Sequence, residues 1–108
     1  MMLFMPRKRS HETRRVLQVL LDSPSEEVYG LQVTRAAGLT AGSAYAILRR
    51  LRDEGLLTGR WEQIDAAEQG RPPRYFYRLT AEGRRVAQRE TAPERGALHS
   101  LMPGWVSR

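Results

Sequence analysis

GLTAGSAYAILRRLRDEG, residues 38–55, decides how the chain is read. Ala44, Ile47, Leu48 and Leu51 follow the i, i+3, i+4, i+7 spacing of one buried helix stripe. At about 100° per residue, Gly42, Ala46, Arg49 and Asp53 fall opposite that stripe, with Ser43, Tyr45 and Arg50 on its flanks. The spacing predicts a helix over residues 41–54, ended by Gly55. Upstream, Val33, Ala36 and Ala37 give a preceding helix its apolar side. Gly38-Leu39-Thr40 stops that helix, because glycine tolerates the left-handed C-cap. So short a gap makes the two helices cross steeply, and the second projects from the body. Downstream, residues 56–64 read as a strand with Leu57 and Trp61 on one face. Residues 74–79, with Tyr75, Phe76 and Tyr77, supply its antiparallel partner. In the loop 65–73, Gly70 permits a reversal and Pro72-Pro73 stiffen a tip flanked by Arg71 and Arg74.

Helix, tight turn, arginine-bearing helix and hairpin follow one another in the order of a winged helix-turn-helix DNA-binding domain. The expected fold class is α+β, mainly α, with a two-stranded wing and a C-terminal helix. Gly42 and Ala46 leave room for the backbone to approach a duplex closely. Thr40, Ser43, Tyr45, Arg49 and Arg50 carry groups that can meet phosphates or base edges, with Arg49 foremost for base readout. An isolated run such as Arg49, Arg50 and Arg52 also suits an ordinary solvated face, but the flanking turn and hairpin weigh for a groove. Arg71 and Arg74 suit a phosphate or the narrow minor groove. The alternative is a plain polar loop, made acidic in its first half by Glu62, Asp65 and Glu68.

The segments Tyr29-Gly30-Leu31, Gly38-Leu39-Thr40, Gly42-Ser43-Ala44-Tyr45, Leu48-Arg49-Arg50-Leu51 and Glu54-Gly55-Leu56-Leu57 resemble the PadR-type transcriptional regulators. So do Trp61-Glu62, Gly70-Arg71-Pro72, Arg74-Tyr75-Phe76-Tyr77-Arg78-Leu79-Thr80 and Gly83. The resemblance covers about half the chain. It implies that Tyr45 lies in the recognition helix, that Gly70-Arg71-Pro72 is the wing, and that Leu79-Thr80 begins the C-terminal helix. The family often has proline after the tyrosine, where this chain has Ala46. The resemblance also implies dimerisation through the first and C-terminal helices, and in some short members a planar ligand near a tryptophan at the dimer interface.

With 108 residues the chain has the length of one compact domain, marginally stable alone and helped by dimerisation. A formal charge of +6 and a pI near 10.7 favour a polyanionic partner, double-stranded DNA before a membrane, because no long apolar stretch accompanies the charge. Lys8 is the only lysine, a bias that a GC-rich genome produces by itself. The absence of cysteine excludes disulfides, thiolate metal sites and cysteine nucleophiles and fits a cytoplasmic setting. Met1-Met2-Leu3-Phe4-Met5 is too short for a signal peptide core, and Met5 looks like a natural start. His11 and His99 stand apart from any nucleophile, metal-ligand spacing or phosphate loop, so neither catalysis, a metal nor a cofactor is expected.

Residues 1–9 read as a basic flexible arm carrying Arg7, Lys8 and Arg9, and 10–80 as the DNA-binding domain. Residues 81–108 read as a C-terminal helix and tail serving dimerisation. Ser10 is placed to cap a helix over 10–21, with Val16, Leu17 and Leu20 on a stripe beginning near Thr13. Val19 and Leu21 widen it, as a second protomer or a generously buried core helix would require. Pro93 is expected to interrupt the last helix. Trp105, in the tail, could line an effector site or pack between protomers; the effector itself is unknown. Two functions follow: a homodimeric, sequence-specific repressor on a palindromic operator, or a winged-helix module contacting an acidic protein.

Overall fold

The computed structural model describes residues 9–101, with side chains placed through Thr91. Helix α1 spans His11–Asp22, capped by Ser10, whose hydroxyl accepts the Thr13 N–H at 3.1 Å. Thr13, Val16, Leu17 and Leu20 form its buried side. Strand β1, Val28–Tyr29, leads into α2, Gly30–Ala37. Gly38 turns the chain at φ 68° and Leu39 N–H reaches back to the Thr34 carbonyl at 3.1 Å. Helix α3, Ala41–Asp53, starts three residues after Gly38 and buries Ala44, Ile47, Leu48 and Leu51, the stripe expected from its period. Val33 and Ala37 are buried in α2 but Ala36 is exposed. Thr34 takes the inward place instead, its hydroxyl satisfied by the Gly30 carbonyl at 2.8 Å, so a polar residue can face the core without an unmet donor.

Gly55, at φ 81°, ends α3 and releases the chain into β2, Leu57–Trp61. Its partner β3, Tyr75–Leu79, lies in the middle of a three-stranded antiparallel sheet of order β1-β3-β2. Leu57 faces Leu79 and Trp61 faces Tyr75. The two wing strands are thus as expected, but a third joins them, two residues long and therefore without a readable period. Strand β2 stops three residues short of Ile64. Continued register would set Gln63 and Ile64 opposite Pro73 and Pro72, which have no N–H for the ladder. The loop beyond is not merely a stiff tip, because it holds a single helical turn, α4, at Ala66–Gln69, whose N-terminus Asp65 caps through the Ala67 and Glu68 N–H groups.

Helix α5, Ala81–Leu101, continues through Pro93 rather than breaking there. Proline's fixed φ of about −65° is itself helical, so the residue removes one hydrogen bond and can bend the helix without ending it. Val86, Ala87 and Thr91 are buried, and α5 packs along α1. The core is a single cluster drawn from α1, α2, α3, the sheet and α5, with Val19 and Leu21 packed partly buried at its margin. No helix among the described residues is long and apolar enough to cross a membrane.

The α5 start is pinned to the end of α3. Thr80 N–H donates to the Leu56 carbonyl at 3.0 Å and the Thr80 hydroxyl donates to the Gly55 carbonyl at 2.9 Å. A Cβ on Gly83 would overlap that Leu56 carbonyl, whereas a Cβ on Gly42 would meet open space. Gly83→Ala is therefore expected to destabilise the fold by about 1–3 kcal/mol despite alanine's better helix propensity. Gly42→Ala should be neutral or stabilising by up to about 1 kcal/mol. Urea unfolding of the two variants checks the opposite signs.

Candidate nucleic-acid interface

Helix α3 presents one bare side because its other side is fully engaged. Leu48 and Leu51 have essentially no exposure, while Gly42, Ser43, Tyr45, Ala46, Arg49 and Arg50 are all exposed. Thr40 caps the helix, its hydroxyl oxygen accepting the Ser43 N–H at 3.2 Å and its hydroxyl hydrogen-bonding Ser43 Oγ at 3.0 Å. The helix N-terminus therefore points small and hydroxylic residues outward, where backbone N–H groups and the helix dipole favour an anion. Arg49 and Arg50 make no ion pair among the described residues, so their charge is open to solvent.

The wing arginines are placed differently. Arg71 is turned inward, its guanidinium forking onto both carboxylate oxygens of Glu62 at 2.7 and 3.1 Å. The Arg74 N–H donates to the same carboxylate at 3.2 Å, and the Arg74 guanidinium lies over the Tyr29 ring, 4.4 Å from its centroid. Arg71 thus braces the base of the wing while Arg74 sits on the surface between sheet and α2. Glu62, read from sequence as part of an acidic half-loop, is the acceptor that organises both. Its carboxyl is held down to about 2, chiefly by the Arg71 hydrogen bond, aided by the Arg74 N–H and the charges of both arginines.

Three contacts that no sequence pattern announced complete the surface. Arg52, from the last turn of α3, donates to the Tyr75 hydroxyl at 3.3 Å and ties the helix to the wing. Arg60 forks onto Glu27 at 2.7 Å through both Nε and Nη2, lies over Phe76, and holds the Glu27 carboxyl below the usual range. Arg9, expected in a flexible arm, is held to Glu54 at 2.9 Å beside the end of α3. Residues 1–8 of that arm and Trp105 lie outside the described residues. Burial pushes the Tyr77 phenol up, with the charges of Arg52 and Arg49 opposing it. Among the described residues no group of His, Asp and Glu is arranged to hold a metal ion.

A model of the transcriptional regulator PadR-like family matches residues 16–89. No match is found among curated proteins. Among solved structures, a PadR family transcriptional regulator from Eggerthella lenta DSM 2243 is similar at 28% identity and TM-score 0.59, over 83% of this chain and 82% of its own. BpsR of Bordetella bronchiseptica, whose DNA binding is regulated by 6-hydroxynicotinic acid, matches at 20% identity and TM-score 0.66, over 89% of this chain and 67% of its own. The adhesin competence repressor AdcR of Streptococcus pyogenes matches at 15% identity and TM-score 0.67, over 86% of this chain and 63% of its own. The chain spans about two thirds of the length of these last two, and the likeness to them is one of fold.

A carboxyl whose pKa folding lowers stabilises the native state above its unfolded value and loses that contribution as pH falls through the folded one. For Glu62 the window runs from about 4.5 down to about 2. The stability gap between the unsubstituted chain and Glu62→Gln, measured by urea unfolding, should be constant from neutral pH to about 4.5 and shrink toward pH 2. A gap that stays constant to the acid end would contradict the Glu62–Arg71 tie.

Proposed function

The chain belongs to the PadR-like family of transcriptional regulators, and from that premise we propose that it is a sequence-specific DNA-binding repressor acting as a homodimer on a palindromic operator. The observation that carries this reading is the bare side of α3, small at its N-terminal end and bearing further on Arg49 and Arg50, which have no ion-pair partner among the described residues. Such a face fits the major groove: Gly42 and Ala46 admit close approach, Thr40, Ser43 and Tyr45 bring hydroxyls toward phosphates, and Arg49 matches the paired acceptors of a guanine edge. Arg50 sits on the flank, where a phosphate is the nearer target. Arg71, turned onto Glu62, sets the height of the wing, and Arg74 is the wing cation available to the backbone.

Dimerisation supplies the second recognition helix. Two copies related by a two-fold axis would place their α3 helices in successive major grooves about 34 Å apart, which is why the operator is taken to be palindromic. The length of α5, which runs on from Thr91 to Leu101, supports it as an element of that dimer. A bound dimer covering a promoter lowers transcription by occupying it, and this regulation is placed in the cytoplasm.

Selection of binding sites from random duplexes tests specificity, symmetry and half-site spacing together, and recovery of no preferred sequence would overturn the proposal. Arg49→Ala should weaken operator binding by about 1–3 kcal/mol with the fold intact, and affect random duplex much less. Equal losses on both, by fluorescence anisotropy, would remove Arg49 from base readout. Gly42→Ala, neutral or favourable for stability, should nonetheless weaken DNA binding, because the added methyl stands where the duplex approaches.

A further inference from the structure

Among the described residues, three large hydrophobic side chains stand exposed: Leu31 and Tyr45, each 41%, and Trp61, 62%. They come from α2, α3 and β2, yet all three line one groove of about 350 Å³ with Tyr29, Arg74 and Tyr75. Single exposed apolar residues are ordinary, but convergence from three separate elements marks a contact surface. The floor of the groove is built for rings. Tyr45 lies where a Cβ on Gly30 would be, and Tyr75 lies where a Cβ on Gly59 would be. Tyr75 is further fixed by Arg52 at its hydroxyl and by Trp61 packed edge-on, ring centroids 5.1 Å apart.

The place of this groove says what crosses it. It lies between α3 and the hairpin, and a duplex that receives α3 in its major groove and the wing at the adjacent minor groove must pass one strand between the two. The chemistry also fits that strand. Ring faces suit the C–H edges of deoxyribose, while the Trp61 indole N–H, the tyrosine hydroxyls and Arg74 suit phosphate oxygens. No carboxylate is among the lining residues, and Arg74, held over Tyr29, stands at the groove as a cation.

We propose that the groove lined by Tyr45, Trp61, Tyr75 and Arg74 seats the sugar–phosphate backbone of one DNA strand as it passes from the major to the minor groove. Trp61 packs against a deoxyribose and Arg74 meets the flanking phosphate. The proposal rests on the DNA-binding reading above and adds a contact that is blind to sequence. It differs from the role of Arg49, because backbone contacts hold position while base contacts specify.

The test uses the full chain carrying Trp105→Phe, which leaves Trp61 as its sole tryptophan. Anisotropy of a labelled duplex follows binding while Trp61 emission follows the groove. Trp61 emission should change and saturate at the same DNA concentration as the anisotropy, on operator and random duplex alike. Trp61→Ala should weaken both duplexes by the same factor, roughly five- to tenfold, the scale of losing one packed aromatic contact. Its salt dependence should be unchanged, whereas Arg74→Ala should lower the log–log salt slope by about 0.9, one phosphate contact. A rise in anisotropy with unchanged Trp61 emission overturns the proposal and leaves the DNA-binding reading standing. Loss confined to the operator also overturns it, by making Trp61 a base reader. No anisotropy change on any duplex overturns both.

Discussion

Leu48 and Leu51 are packed without solvent exposure against the rest of the core, and the burial of a leucine of this kind contributes about 1.5–3 kcal/mol. That contact fixes the rotation of α3 about its own axis. Side chains follow one another at about 100°, so once Ala44, Ile47, Leu48 and Leu51 face inward, Gly42, Ala46 and Arg49 have no choice but to face out. The rest of the molecule sets where that outward side points. Gly38 brings α2 to a stop close before it, Gly55 hands its end to the sheet, and Thr80 fastens α5 to the same junction.

Much of this could be read from residues alone, because it rests on period and on turn chemistry. The α3 stripe, the Ser10 cap and the stop at Gly38 are local, and local signals survive folding unchanged. What could not be read depends on residues distant in sequence. The early end of β2 follows from the prolines that precede the opposing strand, and β1 is too short for any alternation to show. The inward turn of Arg71 depends on Glu62 across the hairpin, and the anchoring of Arg9 on Glu54, on the far side of α1 and α2 in sequence. The α4 turn is a different case. Asp65, Glu68 and Gly70 spell a cap, an acidic first turn and a stop, but a single turn has no hydrophobic period to set it apart from a loop. Polar residues also deceive: Thr34 displaced Ala36 from the inward face because its hydroxyl found a carbonyl.

Six of the arginines divide by partner into two groups with separate work. Arg60 and Arg71 each fork onto a carboxylate on the sheet and wing, and Arg9 fastens onto Glu54. Exposed pairs of this sort add little to stability, but they fix orientation and cancel charge locally. Arg49 and Arg50 lack such partners among the described residues and Arg74 rests on a ring. Arg49, Arg50 and Arg74 thereby leave positive charge on the side of α3 and the groove beside it, and a field so placed orients an approaching polyanion before contact.

The two glycines beneath Tyr45 and Tyr75 carry a consequence for how this surface can vary. At Gly30 and Gly59 a β-carbon would overlap the Tyr45 and Tyr75 rings, so each ring must shift before any side chain is admitted. A combinatorial library aimed at new operators would therefore disturb the floor of the groove, and not only its rim, wherever it varied these two bare backbone positions.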